Sequence, residues 1–176
     1  MAYKIFLSHS SADAHWVNWI KSNAQQVGIE VYLHEYDPKP GQLLAGKLQA
    51  AIQSRDALVV LLTGNSQGSA YVQQEIGYAK GANKPVIPLV QPGIQQASVA
   101  MLQGVEHIPF DFRNPHTALS TLLSHLQKAK QSKEAGQALL AIVLLCGFRF
   151  LDGDKPADPL ITRQWRKILP LSSGQK

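Results

Sequence analysis

The sequence contains a single cysteine, Cys146, in 176 residues. An intramolecular disulfide is therefore impossible, and such a chain suits a reducing compartment, so we expect a cytoplasmic protein. The opening MAYKIFLSHSSAD also lacks the long apolar region and the small-residue cleavage site of a signal peptide. It indicates a first β-strand instead.

Metal-binding patterns and a strong charge excess are also missing from the main part of the chain. The six histidines show no His-x-x-x-His spacing and there is no Cys-x-x-Cys pair, so we predict no metal site. Residues 1–127 hold eight basic and eight acidic side chains, and the net charge of +5 arises entirely from residues 128–176. A neutral main domain argues against nucleic-acid binding, which needs a basic face.

Short β-rich runs alternate with amphipathic stretches, which is typical of a parallel sheet covered by helices. With 45% apolar residues, the chain can bury one main core. The predicted strands are Tyr3–Ser8, Ile29–Leu33, Ala57–Leu62, Val86–Val90 and His107–Phe110, and the predicted helices span about 11–27, 43–54, 70–83 and 115–130. Short connections predict a flavodoxin-like, doubly wound five-stranded sheet of order 2-1-3-4-5.

Ligands of such sheets bind outside the carboxyl ends of the strands. Three loops should therefore matter most, at residues 8–11, 34–42 and 63–69. The first is rich in hydroxyl groups, the second contains Asp37, Pro40 and Gly41, and the third precedes a predicted helix.

Three blocks in these regions together resemble the TIR domain family, over roughly residues 1–130. They are KIFLSHSSAD at 4–13, YLHEYDPKPGQLLAGKLQAAIQSRDALVVLLT at 32–63 and SAYVQQEIGYA at 69–79. The first resembles the family's first-strand box that ends in a serine. The second resembles the region with the Pro-Gly loop known as the BB loop. The third resembles the segment in which catalytic members carry a glutamate four positions after an aromatic residue.

The resemblance implies an enzyme that cleaves NAD between nicotinamide and ribose, releasing nicotinamide with ADP-ribose or a cyclic isomer. It implies Glu75 as the catalytic residue and a signalling product read by a downstream effector, as in bacterial antiphage systems of the Thoeris kind. It also implies head-to-tail self-association, in which the BB loop of a neighbour completes the pocket. The G-x-G-x-x-G and P-loop patterns are absent, so we interpret NAD as a consumed substrate and predict no bound cofactor.

The residues support this chemistry independently of the resemblance. Loss of nicotinamide leaves an oxocarbenium-like ribose, which a nearby carboxylate can stabilise or trap. Ser69 is a natural N-cap, so Glu75 falls in the second helical turn, with Tyr71 four positions earlier on the same face. Nicotinamide is already a good leaving group because its ring is cationic in the substrate, so a second carboxylic acid is not required.

Each candidate residue also has a purely structural interpretation. Glu75 can be a solvated charge near a helix start, and Tyr71 can belong to the core rather than to the pocket wall. Ser8 and Ser10 are predicted to contact substrate, although hydroxyl groups at a strand end also cap helices. Asp37 is predicted to take part in substrate contact or loop gating, although it can simply build the turn.

Residues 131–176 form a C-terminal extension in this interpretation. Residues 135–148 are an uncharged apolar run of fourteen, which is shorter than the about 17 to 25 residues of a membrane span. We therefore predict a helix at about 134–150, packed on the domain or on a second subunit, followed by a basic irregular tail. No membrane insertion is expected.

Two other functions fit the same sequence. A TIR scaffold would recruit other TIR domains without catalysis, and a relative of the nucleoside deoxyribosyltransferases would cleave another glycosyl bond on the same fold. Inertness toward NAD would favour the scaffold, and turnover of free nucleosides would favour the transferase. The glutamate at the catalytic spacing favours the NAD-cleaving enzyme.

Overall fold

The computed structural model describes residues 2–34, 44–94 and 100–151, with side chains up to residue 141. Two compact units are distinguished, Met1–Glu134 and Ala135–Lys176. The helices are α1 (Ala14–Gln26), α2 (Leu44–Gln53), α3 (Ala70–Gly81) and α4 (Pro115–Leu151). The strands are β1 (Tyr3–Ser8), β2 (Ile29–Tyr32), β3 (Ala57–Leu62), β4 (Val86–Val90) and β5 (Ile108–Pro109).

All five strands are parallel and lie in the order β2-β1-β3-β4-β5. This confirms the predicted doubly wound topology. The central strand β3 is buried along its whole length, as its uninterrupted apolar sequence ALVVLL requires when helices cover both faces.

Two apolar layers flank the sheet. One joins Ile5 and Leu7 of β1 to buried residues of α1 and α4, such as Ile20 and Leu122. The other joins Phe6 of β1 to buried residues of α2 and α3. Because successive side chains of a strand point to opposite faces, β1 contributes alternately to the two layers.

The helix α4 differs from the prediction, because one helix runs through the region where we expected a break. No glycine or proline occurs between Pro115 and Gly136, so nothing in the local sequence ends the helix near residue 131. Within the second unit, Leu139 and Leu140 are exposed. None of the helices, so far as the structure describes them, is long and apolar enough to cross a membrane.

Candidate active site at the carboxyl ends of the strands

Ser8 is the last residue of β1 and lies at the carboxyl edge of the sheet. It is two positions from Phe6, and the alternation of the strand directs both side chains toward the layer that contains α3. Ser8 is only 1% exposed. A buried hydroxyl group at this position needs a hydrogen-bond partner from the covering helix.

The helix α3 supplies that partner. Its N-cap is Ser69, whose side chain accepts a hydrogen bond from the backbone N–H of Val72. The buried residues of the helix are Val72, Glu75, Ile76 and Ala79, at the 3 and 4 spacing of a core-facing stripe. Glu75 therefore lies on the apolar stripe of α3 rather than on its solvent face.

The Ser8 hydroxyl donates a hydrogen bond to Oε2 of Glu75. Glu75 is 6% exposed, and burial raises the pKa of its carboxyl group to about 7, although the hydrogen bond from Ser8 acts in the opposite direction. Both protonation states are consequently populated near neutral pH. A cation placed beside this group would shift the balance toward the carboxylate.

A second polar group lies at the same edge of the sheet. Asp13 follows β1 in a short 3-10 helix, Ser11–Asp13, and is 3% exposed. Its Oδ2 accepts a hydrogen bond of 2.7 Å from Thr63 Oγ1, and its Oδ1 accepts one of 2.8 Å from Asn65 Nδ2. Asp13 thus connects the segment after β1 to the loop after β3.

The loop after β3 is ordered by its own hydrogen bonds. The Ser66 hydroxyl donates to the Leu61 carbonyl oxygen at 2.9 Å and accepts from the Thr63 backbone N–H at 2.8 Å. The Gly64 backbone N–H donates to Gln91 Oε1 at 3.1 Å, which ties the loop to the end of β4. These contacts fix the polypeptide that leads into α3.

The other predicted site residues are distributed less compactly. Ser10 is partly buried and caps the 3-10 helix by accepting from the Ala12 backbone N–H. Tyr71 lies in the first turn of α3 and is 48% exposed, so it is not part of the core. Asp37 lies outside the described residues. The structure therefore brings Glu75 and Ser8 together, and the substrate contacts of Ser8, Ser10, Asp37 and Tyr71 stay predictions.

Asp13 is a residue of this region that the sequence did not single out as a site residue. Its side chain bonds to residues 50 and 52 positions away. A signal existed, because Asp13 follows a strand end and faces a loop rich in hydroxyl and amide groups. Local spacing could not identify the partners.

A cavity of about 380 Å³ lies at the other end of the sheet, where Val86, Glu106 and His107 begin β4 and precede β5. None of its lining residues belongs to the group around Glu75. Across the described ranges, no three His, Cys, Asp or Glu side chains gather in a way that could hold a metal ion. The absence of a metal and of a bound cofactor stays a prediction.

The fold and the site together define a doubly wound α/β domain with a buried carboxyl group near the carboxyl end of its first strand. The family model described as TIR domain matches residues 5–123. The chain belongs to the TIR domain family.

One relative is similar to this chain in sequence. A Bacillus cereus (strain MSX-D12) protein named Probable 3' cyclic ADP-D-ribose synthase ThsB' is 27% identical over 132 residues, covering 72% of this chain. The match spans 66% of that protein, slightly less than two thirds of its length.

Two solved structures are similar in fold alone. The TIR domains of the activated Roq1 resistosome recognizing the pathogen effector XopQ give a TM-score of 0.53 at 16% identity, covering 71% of this chain and 99% of theirs. The TIR domain of the Toll-related receptor TRR-2 from Hydra magnipapillata gives 0.55 at 15% identity, covering 72% and 99%.

Proposed function

We propose that this TIR domain cleaves NAD at the bond between nicotinamide and ribose, with Glu75 as the catalytic carboxylate. The observation that carries the proposal is the buried contact between Glu75 and Ser8 at the carboxyl edge of the sheet. Maintaining an ionisable group in a core stripe costs stability, and such groups concentrate at functional sites. The similarity to a protein named as a cyclic ADP-ribose synthase supports the same reaction class.

The proposed step is heterolytic cleavage at C1 of the ribose. The bonding electron pair moves to the ring nitrogen, so nicotinamide leaves as a neutral molecule and the ribose becomes an oxocarbenium ion. The Glu75 carboxylate stabilises this cation in a low-dielectric environment, where the attraction is strong. Addition of water then gives ADP-ribose and a proton, whereas addition of a hydroxyl group of the same molecule gives a cyclic isomer and a proton.

The raised pKa of Glu75 fits this step. Burial raises the pKa of Glu75 to about 7 in the free protein. Before substrate binds, the carboxyl group is therefore easily protonated near neutral pH. The cationic nicotinamide ring favours ionisation, and the positive charge then moves toward the ribose as the bond breaks. The Ser8 hydroxyl stabilises the anion by donating to Oε2.

The remaining contacts belong to the same proposal. Ser10 follows Ser8 by two residues and can offer its hydroxyl group to the substrate, and the exposed ring of Tyr71 can lie against the substrate. We propose that Asp37 contacts the substrate or takes part in loop gating. Head-to-tail self-association would let the equivalent loop of a neighbour complete the pocket, and a downstream effector in antiphage immunity would read the product.

The test is nicotinamide release from NAD by the purified protein, measured by mass spectrometry at low and at high protein concentration. Glu75→Gln preserves the size of the side chain and removes the charge, so we expect release to fall by about 100-fold or more. The nucleotide product, linear or cyclic, is identified in the same spectra.

Glu30→Gln is the matched control, because Glu30 is an exposed residue of β2 that pairs with Lys4 on the surface. It should release nicotinamide at the wild-type rate. Equal activity of Glu75→Gln and wild type would refute the assignment of Glu75. No release under any condition, together with binding to another TIR domain, would identify a scaffold instead.

A further inference from the structure

The Asp13 side chain links the two segments that carry the proposed site. The segment 9–13 directly follows Ser8, the last residue of β1, and the Asp13 backbone N–H donates to the Ser10 carbonyl oxygen at 2.9 Å. The Asp13 carboxyl group accepts from Thr63 and Asn65 in the loop after β3. Both donors come from side chains, so the link depends on the identity of these three residues.

A continuous series of hydrogen bonds leads from this link to the start of α3. The Thr63 hydroxyl that donates to Asp13 also accepts from the Asn65 backbone N–H at 3.0 Å. The Ser69 backbone N–H donates to the Ser66 carbonyl oxygen at 3.0 Å, and Ser69 then caps α3. The position of α3, and with it Glu75, is therefore tied to the segment that carries Ser8.

We propose that Asp13 is a positioning residue that holds the loop after β3 against the segment after β1, so that Glu75 of α3 meets Ser8. The role of Asp13 in catalysis rests on the proposed function. Its role in setting the contact between Ser8 and Glu75 does not.

Positioning requires the two hydrogen bonds that Asp13 accepts rather than its charge. In Asp13→Asn, the new amide oxygen accepts from Thr63, and Asn65 can rotate its amide so that its oxygen accepts from the new NH₂ group. Both links survive, so this variant should retain most activity. Asp13→Ala removes both acceptors and leaves the buried Thr63 hydroxyl without an acceptor for its proton.

The kinetic test compares these variants in NAD cleavage. Asp13→Ala should lower kcat about tenfold or more with a smaller change in KM, because a displaced carboxylate weakens stabilisation of the transition state. Asp13→Asn should stay within about threefold of wild type. If the asparagine variant is as slow as the alanine variant, the charge itself is needed and the positioning role is wrong.

Asp56→Ala provides the matched control. Asp56 directly precedes β3, at the opposite end of the strand from Thr63, and its carboxyl group likewise bonds to a side chain, Lys133. Its loss should destabilise the domain without altering kcat. An equal loss of kcat in both alanine variants would show a general effect of instability and overturn the proposal.

A second measurement does not require NAD turnover. The chain has five glutamates, and labelling their carboxyl carbons allows Glu75 to be titrated by NMR, with its resonance identified by its absence in Glu75→Gln. For the described residues, the pKa of Glu75 reflects burial first and then the Ser8 hydrogen bond, with no contribution from a charged side chain. A midpoint near 7 in wild type should move down toward the ordinary value in Asp13→Ala, because hydration of Glu75 removes the larger effect, burial, and outweighs the loss of the Ser8 hydrogen bond.

An unchanged midpoint in folded Asp13→Ala would overturn the proposal, whatever the activity. If the alanine variant does not fold, Asn65→Ala replaces it, because Asn65 is exposed and its loss removes one of the two links. A smaller shift in the same direction is then expected. If wild type does not cleave NAD, the proposed function fails while the titration still decides the role of Asp13.

Discussion

At the scale of single residues, Glu75 occupies a position where an apolar side chain would stabilise the domain better. Its neighbours on the buried stripe of α3 are Val72, Ile76 and Ala79. A buried carboxyl group is costly when ionised, and the raised pKa is the measure of that cost. Such a cost is common at active sites, which agrees with the proposed role of Glu75.

This cost makes stability depend on pH in a defined direction. Glu75 has a pKa of about 7 in the folded protein and an ordinary value of 4.5. Between these values the folded state binds more protons than the unfolded state, so stability falls as pH rises through this window. Glu75→Gln mimics the protonated acid. It should match wild type at pH 4 and exceed it by up to about 3 kcal/mol at pH 8.

Urea unfolding of both proteins at pH 4, 6 and 8 measures this difference. Glu106→Gln is a control, since Glu106 is exposed, and its effect should stay below about 0.5 kcal/mol at every pH. A glutamine variant that is less stable than wild type at pH 8 would show that the Glu75 carboxylate stabilises the folded protein, and the predicted pH dependence would be wrong.

The sequence made Glu75 a candidate, and its role stays a prediction; the sequence did not show what surrounds the carboxyl group. The contact with Ser8 joins residues 67 positions apart, and only the packing of α3 against β1 brings them together. The spacing of Val72, Ile76 and Ala79 did contain a usable signal, since it places Glu75 on the buried stripe. The role of Asp13 depends on two more long-range contacts and could not be obtained from local pattern.

At the scale of elements, the start of α3 is the structural link between the loop after β3 and the candidate site. Ser69 is the N-cap, and without it the first backbone N–H groups of α3 lose a partner. Glu75 lies less than two turns from this cap. Fraying of the first turn would therefore reach the catalytic candidate.

Ser69→Ala should destabilise the domain by about 1 kcal/mol, the usual cost of removing a serine N-cap. Ser69→Gly should cost only a few tenths of a kcal/mol, since glycine is tolerated at an N-cap. The measurement is the urea midpoint of each variant. Ser54→Ala serves as a control, because Ser54 follows α2 and its hydroxyl bonds locally, donating to the Ala51 carbonyl oxygen and accepting from the adjacent Arg55 side chain. A Ser69→Ala midpoint equal to that of the control would show that the cap contributes nothing.

Most elements could be predicted because their apolar periodicity is local. The uniform apolar sequence of β3 and the spacing in α1 and α3 fix both type and approximate ends. The α4 helix was predicted in two pieces, because the change from an amphipathic to a uniformly apolar sequence resembled a boundary. Composition changes there, but no helix-breaking residue accompanies the change, and the backbone hydrogen bonds continue.

At the scale of the whole molecule, the two ends of the sheet carry different polar contacts. The carboxyl end carries Ser8 and the loop contacts of Asp13. At the amino end, the Lys133 ammonium group lies 2.8 Å from both carboxyl oxygens of Asp56, which also accepts from the Lys4 backbone N–H. Burial raises the pKa of Asp56, but these hydrogen bonds outweigh it and hold the pKa below its ordinary value. The ion pair is therefore fully present at neutral pH and is lost on acidification.

The first unit ends at Glu134, one residue after Lys133, and it contains every buried apolar residue of the two described layers. A chain truncated after Glu134 should therefore unfold cooperatively, with a free energy of unfolding within about 1 kcal/mol of that of the full chain.

Truncation after Lys130 removes the partner of Asp56 and should cost about 1 to 2 kcal/mol more, because the pair is only partly buried. Lys133→Met in the full chain should reproduce most of that loss, since it keeps an apolar side chain of similar length and removes the charge. Urea unfolding at pH 7 measures all four proteins, and at a pH below the pKa of Asp56 the cost of Lys133→Met should vanish. A chain ending at Glu134 that fails to fold would show that the second unit contributes to the core of the first, and the division at Glu134 would then not be a boundary of stability.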